Sequence, residues 1–140
     1  MKPRISVITL GVDDLNRALQ FYRDGLGLAT EGIIGEQYDH GAVVFIDLQP
    51  TLKLALWPRA SIIRELGIEA DSPSPSHAMI SHNVSSRDEV DSVMDEAAAA
   101  GAQVLKPAHE TFWGGYAGYF CDPDQHVWEV VWNPDWVISD

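Results

Sequence analysis

Two stretches of the 140-residue chain repeat one another about 75 residues apart, and that repeat limits the fold more than any other feature. Phe45-Ile46-Asp47 precedes an apolar run over 52–57, and Phe120-Cys121-Asp122 precedes one over 127–132. Phe120 stands 75 residues after Phe45, and Trp132 stands 75 after Trp57. Upstream, residues 6–12 read as a strand leading into a helix from about Asp14. Residues 78–84 read as a strand leading into a helix from about Arg87, with Val84 standing 72 after Val12. An ordered set of matches points to duplication, each half running strand, helix, strand, strand, strand.

Local chemistry supports that reading. Asp13 or Asp14 can cap the first helix, whose apolar stripe is Leu15, Ala18, Leu19, Tyr22 and Leu26, with Gly25 and Gly27 ending it. Ser86 and Glu89 form a capping box for the second, whose stripe is Val90, Val93, Met94, Ala97 and Ala98, with Gly101 as its stop. Strands follow near 32–38, 42–48 and 52–57, and again near 104–107, 117–121 and 127–132. Residues 58–66 read as a short helix between the halves. The expected organisation is one domain over 1–140: module one about 4–58, a linker about 67–77 containing Ser72-Pro73-Ser74-Pro75-Ser76, and module two about 78–134.

Charge narrows the partners. Nine basic against 21 acidic residues give a net charge of −12, which repels phosphate backbones and anionic lipid, so neither nucleic acid nor a membrane is expected. No apolar run approaches the roughly 18 residues of a membrane span, and no leader is visible at the start. Cys121 is the single cysteine, so no internal disulfide forms and a reducing, cytoplasmic setting is expected.

The phrases Ile8-Thr9-Leu10-Gly11-Val12-Asp13-Asp14-Leu15, Phe21-Tyr22-Arg23-Asp24-Gly25-Leu26-Gly27, Gly118-Tyr119-Phe120-Cys121-Asp122-Pro123-Asp124 and His126-Val127-Trp128-Glu129-Val130 carry a family likeness. With the duplicated order of elements, the chain resembles the vicinal oxygen chelate superfamily of glyoxalases, bleomycin-resistance proteins and extradiol dioxygenases. The resemblance implies an α+β fold of two βαβββ modules. Their strands would make a curved, half-open mixed sheet around a cavity, with helices outside and a homodimer as the usual assembly.

Metal-dependent members place one ligand on the first and last strand of each module. The resemblance puts those points at Val7, Leu54, Met79 and Glu129, and the 75-residue spacing of Leu54 and Glu129 agrees. Val and Leu have no donor atom, and Met sulfur suits hard or borderline divalent ions poorly. One carboxylate falls short of the three protein ligands of a catalytic site, so no cofactor is expected. A slipped register could add His77 and still give only two ligands. His40, His109 and His126 fall in expected loops, and His82 has the wrong parity.

Without a metal, the resemblance leaves an apolar pocket of Val7, Leu54 and Met79 around one acid. Glu129 is then a general base, a docking point for a ligand amine, or an acid held by neighbouring backbone or Tyr hydrogen bonds. Phe112, Trp113 and Tyr116 flank Gly114-Gly115, either as an aromatic gate at the cavity mouth or as a hairpin turn packed on the sheet. Trp57 could touch ligand, whereas Trp128 and Trp132 read as core. Two functions fit: metal-independent binding of a small, partly apolar or cationic molecule, or an enzyme of lyase, isomerase or dioxygenase type using Glu129 as base or metal ligand.

Overall fold

The computed structural model describes residues 7–66 and 78–138. The chain divides into two compact units at Ser72–Pro73. His77 and the proposed linker lie outside the described residues.

Unit one runs β1 (Val7–Val12), α1 (Leu15–Leu19), β2 (Thr30–Ile34), β3 (Val43–Gln49), β4 (Leu52–Pro58) and α2 (Arg59–Leu66). Asp14 caps α1, its carboxylate accepting the Arg17 N–H at 3.0 Å. A π-helical turn, Gln20–Gly25, continues α1 and buries Phe21 and Tyr22. The sheet order is β1-β4-β3-β2, with β1 and β4 parallel and the other pairs antiparallel. Leu10, Val12, Val44, Ile46, Leu54 and Leu56 fill the core with Leu15, Ala18, Leu19 and Tyr22 from the helical segment.

Unit two repeats the order as β5 (Met79–Val84), α3 (Arg87–Ala99), β6 (Gln103–Glu110), β7 (Tyr116–Cys121) and β8 (Val127–Trp132). Its sheet order is β5-β8-β7-β6, again with one parallel pair, β5 with β8. Val90, Met94 and Ala97 bury one face of α3 against Phe120, Trp128 and Val130, and the Phe120 and Trp128 rings stack at 6.3 Å. A Cβ at Gly118 would lie 2.8 Å from the Met94 sulfur, so glycine lets α3 sit close on β7. Gly101 has φ +99, and the Ala102 N–H reaches back to the Ala97 carbonyl at 2.9 Å, closing the helix in a Schellman motif.

The duplicated α+β architecture is as the sequence implies. Strand β6 is longer than the expected 104–107, because Pro107 does not end it. It is the edge strand, and its pairing with β7 shifts register between Lys106 and His109, so the missing N–H costs no ladder bond. No helix among the described residues is long and apolar enough to cross a membrane.

The capping box is one residue wider than a simple one. Ser86 Oγ accepts the Glu89 N–H at 3.2 Å, while Glu89 Oε2 accepts both the hydroxyl and the N–H of Ser85, at 2.7 and 2.8 Å. Those Ser85 bonds, the hydroxyl first, hold the Glu89 carboxyl below the usual glutamate range. A depressed folded-state pKa gives stability that is present above the unfolded value and lost as the pH falls. Between about pH 6 and pH 3, the melting temperature of the native chain is therefore expected to fall more steeply than that of Glu89→Gln. Parallel thermal melts check this, and identical slopes would contradict it.

Candidate functional site

In unit one α1 covers one face of the sheet, and in unit two α3 does; the opposite face, which α2 borders at Gly11 in unit one, carries the candidate groups. On unit two, Ser81, Glu129 and Tyr119 are aligned across β5, β8 and β7. Ser81 Oγ donates to Glu129 Oε2 at 2.6 Å, and the Tyr119 hydroxyl donates to Oε1 at 3.0 Å. Burial first, then the hydrogen bond and charge of Glu129, holds the Tyr119 phenol above the usual tyrosine range. Among the described residues no lysine, arginine or histidine forms an ion pair with Glu129.

His109 belongs to strand β6, not to a loop, opposite Ala117. Its ring lies 6.2 Å from that of Tyr119, tilted by 39°. Nδ1 is 3.0 Å from the Pro107 carbonyl, which can only accept, so Nδ1 carries a proton. Met79 pairs with Val127 on the same face and is 49% exposed. Cys121 is buried, and that burial, with the charge of Asp122, pushes its thiol up, against any nucleophilic role.

On unit one, Thr9, Ala55 and Phe45 are the aligned set, and Trp57 follows two residues along β4. They line a cleft of about 290 Å³. Val7, two residues before Thr9, shares this face and is exposed. Leu54 does not share it. It pairs with Ile8 and Ile46 and is fully buried on the helix side. The residue that stands where Glu129 stands in unit two is Ala55, 74 positions earlier, because Thr9–Ala55–Phe45 matches Ser81–Glu129–Tyr119 in register. Likewise Trp132 matches Pro58 rather than Trp57: Val84 pairs with Trp132 as Val12 pairs with Pro58.

The aromatic stretch is split rather than gathered. Tyr116 turns to the helix side, where its hydroxyl donates to Asp91 Oδ1 at 2.9 Å. The Arg87 guanidinium lies 5.7 Å from its ring and 5.0 Å from that of Trp132. Phe112 is fully exposed. Trp113 folds over Gly115, where a Cβ would meet its ring at 2.0 Å. The turn is closed by Thr111, whose N–H donates to the Gly115 carbonyl and whose hydroxyl accepts the Gly115 N–H, both at 2.9 Å. These contacts are those of a hairpin turn, and Tyr116 is removed from the open face.

The profile of the Glyoxalase/Bleomycin resistance protein/Dioxygenase superfamily matches residues 4–130. The chain belongs to this superfamily. A glyoxalase-related enzyme from Fulvimarina pelagi is 34% identical over 98% of this chain and 93% of its own, with a TM-score of 0.83. A lactoylglutathione lyase from Agrobacterium tumefaciens shares the fold at 23% identity, covering 99% of this chain and all of its own (100%), with a TM-score of 0.70. A superfamily enzyme from Burkholderia phytofirmans is 18% identical over 91% and 96%, with a TM-score of 0.71. Among curated proteins none matches the chain.

The superfamily's divalent metal does not fit the residues present. With the register corrected, the four positions that the resemblance implies would be Val7, Ala55, Met79 and Glu129, which together offer one carboxylate and one thioether. The described residues hold no cluster of three or more His, Cys, Asp or Glu that could complete a site.

The sequence singled out Glu129 and missed Ser81, Tyr119 and His109. Ser81 was within reach: it lies two residues after Met79, so it must share that residue's face. Tyr119 and His109 depend on the pairing of β6, β7 and β8, which no local signal reveals.

Proposed function

We propose that this superfamily member binds a small, partly apolar molecule bearing an amine, without a metal, and that Glu129 is the docking point. The observation that carries the reading is a carboxylate oriented by two hydroxyls and left without a cation among the described residues. Each oxygen has a further lone pair, so an ammonium group can complete the set. Met79, Val127 and the Tyr119 ring supply the apolar contact. The wider field agrees. Residues 78–138 carry ten acidic and two basic side chains, against eight and five in 7–66. A cation is drawn to the unit that holds Glu129.

A second reading rests on the same acid. The 34%-identical relative is described as a glyoxalase-related enzyme. Glu129 would then take a proton from the bound molecule in a lyase- or isomerase-type step, with Tyr119 keeping the carboxylate in place.

Calorimetric titration with phenethylamine and with 2-phenylethanol tests the binding reading. A charge-assisted hydrogen bond is worth about 1.5–3 kcal/mol, so the amine is expected to bind about tenfold or more tightly than the alcohol. Glu129→Gln keeps an acceptor for one of the two hydroxyls, while the other must turn to accept from the amide NH2, and the substitution is expected to abolish that preference. Equal affinities in the native chain, or a preference that survives the substitution, would overturn the proposal.

A further inference from the structure

We infer that His109 is a second recognition residue on the Glu129 face, and that the preferred ligand is a one-ring aromatic amine with a hydroxyl on the side of the ring remote from its amine. The inference rests on the proposed docking of an amine at Glu129 and extends it to the other end of the molecule.

The strand pattern puts His109 on that face. It is opposite Ala117 in β7, two residues before Tyr119, so the three side chains share one side of the sheet. The next residue, Glu110, is opposite Tyr116 and pairs with Arg87 on the helix side. Alternation thus separates the two neighbours, with Glu110 committed to Arg87 and His109 turned to the open face. The imidazole sits beside the Tyr119 ring, 6.2 Å between centroids, while the hydroxyl of that tyrosine donates to Glu129 Oε1 at 3.0 Å. Tyr119 is therefore an aromatic platform with an acid at its hydroxyl and an imidazole beside its ring.

What His109 offers a ligand follows from how it is held. Pro107 falls where β6 loses register with β7, and its carbonyl accepts from Nδ1 at 3.0 Å. In the neutral imidazole Nε2 is then a hydrogen-bond acceptor. Among the described residues Nε2 has no partner. An open acceptor on this face favours a ligand that brings a donor, and a hydroxyl is the uncharged group that does so. The dimensions set the rest. Glu129 and His109 stand two strands apart, about 10 Å across the sheet. Their side chains and a hydrogen bond at each end take up part of that span, leaving the length of one ring and a short amine arm. The Tyr119 ring between them gives that ring a surface to stack on.

Calorimetry with tyramine, 4-methoxyphenethylamine and phenethylamine tests the inference. Tyramine carries the hydroxyl, and the methyl ether keeps its oxygen without the proton. Tyramine is expected to bind about threefold to tenfold more tightly than either, the worth of one neutral hydrogen bond. His109→Phe keeps a ring beside Tyr119 and removes the acceptor. It is expected to erase the tyramine advantage and leave phenethylamine affinity within about twofold of native. If that variant does not fold, NMR of isotope-labelled imidazole nitrogens in the native chain reads the same contact: tyramine is expected to shift His109 Nε2, and phenethylamine is not. Tyramine no tighter than phenethylamine or than the ether, an advantage that survives in His109→Phe, or an unmoved Nε2 signal would overturn the inference. A tyramine advantage that holds while phenethylamine shows no preference over 2-phenylethanol would instead overturn the role of Glu129 and leave His109 standing.

Discussion

Leu54→Ala is expected to destabilise the chain by about 2–5 kcal/mol, the usual range for a fully buried leucine. Leu54 is completely buried, with Ile8 and Ile46 as its cross-strand partners beneath the helical segment. Removing its isobutyl group takes away its transfer free energy and leaves a void that Leu56 and Val44 can only partly close. Its neighbour Ala55 faces the other way, into the open-face cleft. Leu54→Ala should therefore lower the urea midpoint strongly and leave phenethylamine affinity at the native value under conditions where the variant stays folded. The opposite pattern, small loss of stability and large loss of binding, would show that Leu54 lines the pocket.

Asp122→Ala is expected to cost about 3 kcal/mol or more, through stranded donors rather than a void. Asp122 is 3% exposed and organises the turn into β8. Its Oδ1 accepts the N–H groups of Asp124 and His126 at 2.9 and 2.8 Å, and Oδ2 lies 2.8 Å from His126 Nδ1. Each donor left unsatisfied in a buried place costs about 1–3 kcal/mol. The same turn sets where β8 begins, and Glu129 is the third residue of that strand. The phenethylamine preference should thus weaken along with the urea midpoint. Asp122→Asn retains an acceptor for the backbone donors and should fall between the two. A loss below about 1 kcal/mol in Asp122→Ala would contradict this account.

Much of the fold is legible because its signals are local. Asp14 and Ser86 cap the helices expected of them, Gly101 stops the second, and the apolar stripes face the core. The order of elements follows from the repeat. The site was harder, and the failure turns on one residue of register. Aligning Phe45 with Phe120 places Leu54 opposite Glu129, yet Phe45 faces the open side of its sheet and Phe120 the core. Leu54, Ala55 and Leu56 are all apolar, so the strand carries no alternation to mark its faces. A one-residue slip then moves every side chain to the wrong side. Glu129 escaped this error as the lone acid in an apolar strand. For Tyr116 the sequence left gate and packed turn both open: the run from Tyr116 to Cys121 is apolar or aromatic throughout, and the Asp91 hydrogen bond and the Arg87 contact show that its ring turns to the helix side.

On the proposed function, recognition rests on Glu129 and its two hydroxyl partners without a metal. The phenethylamine titration tests it most directly when run on chelator-treated protein and on protein supplied with zinc, nickel, manganese or iron(II). One dissociation constant is expected throughout, with the amine preference lost in Glu129→Gln. Binding that appears only after a metal is added would contradict it.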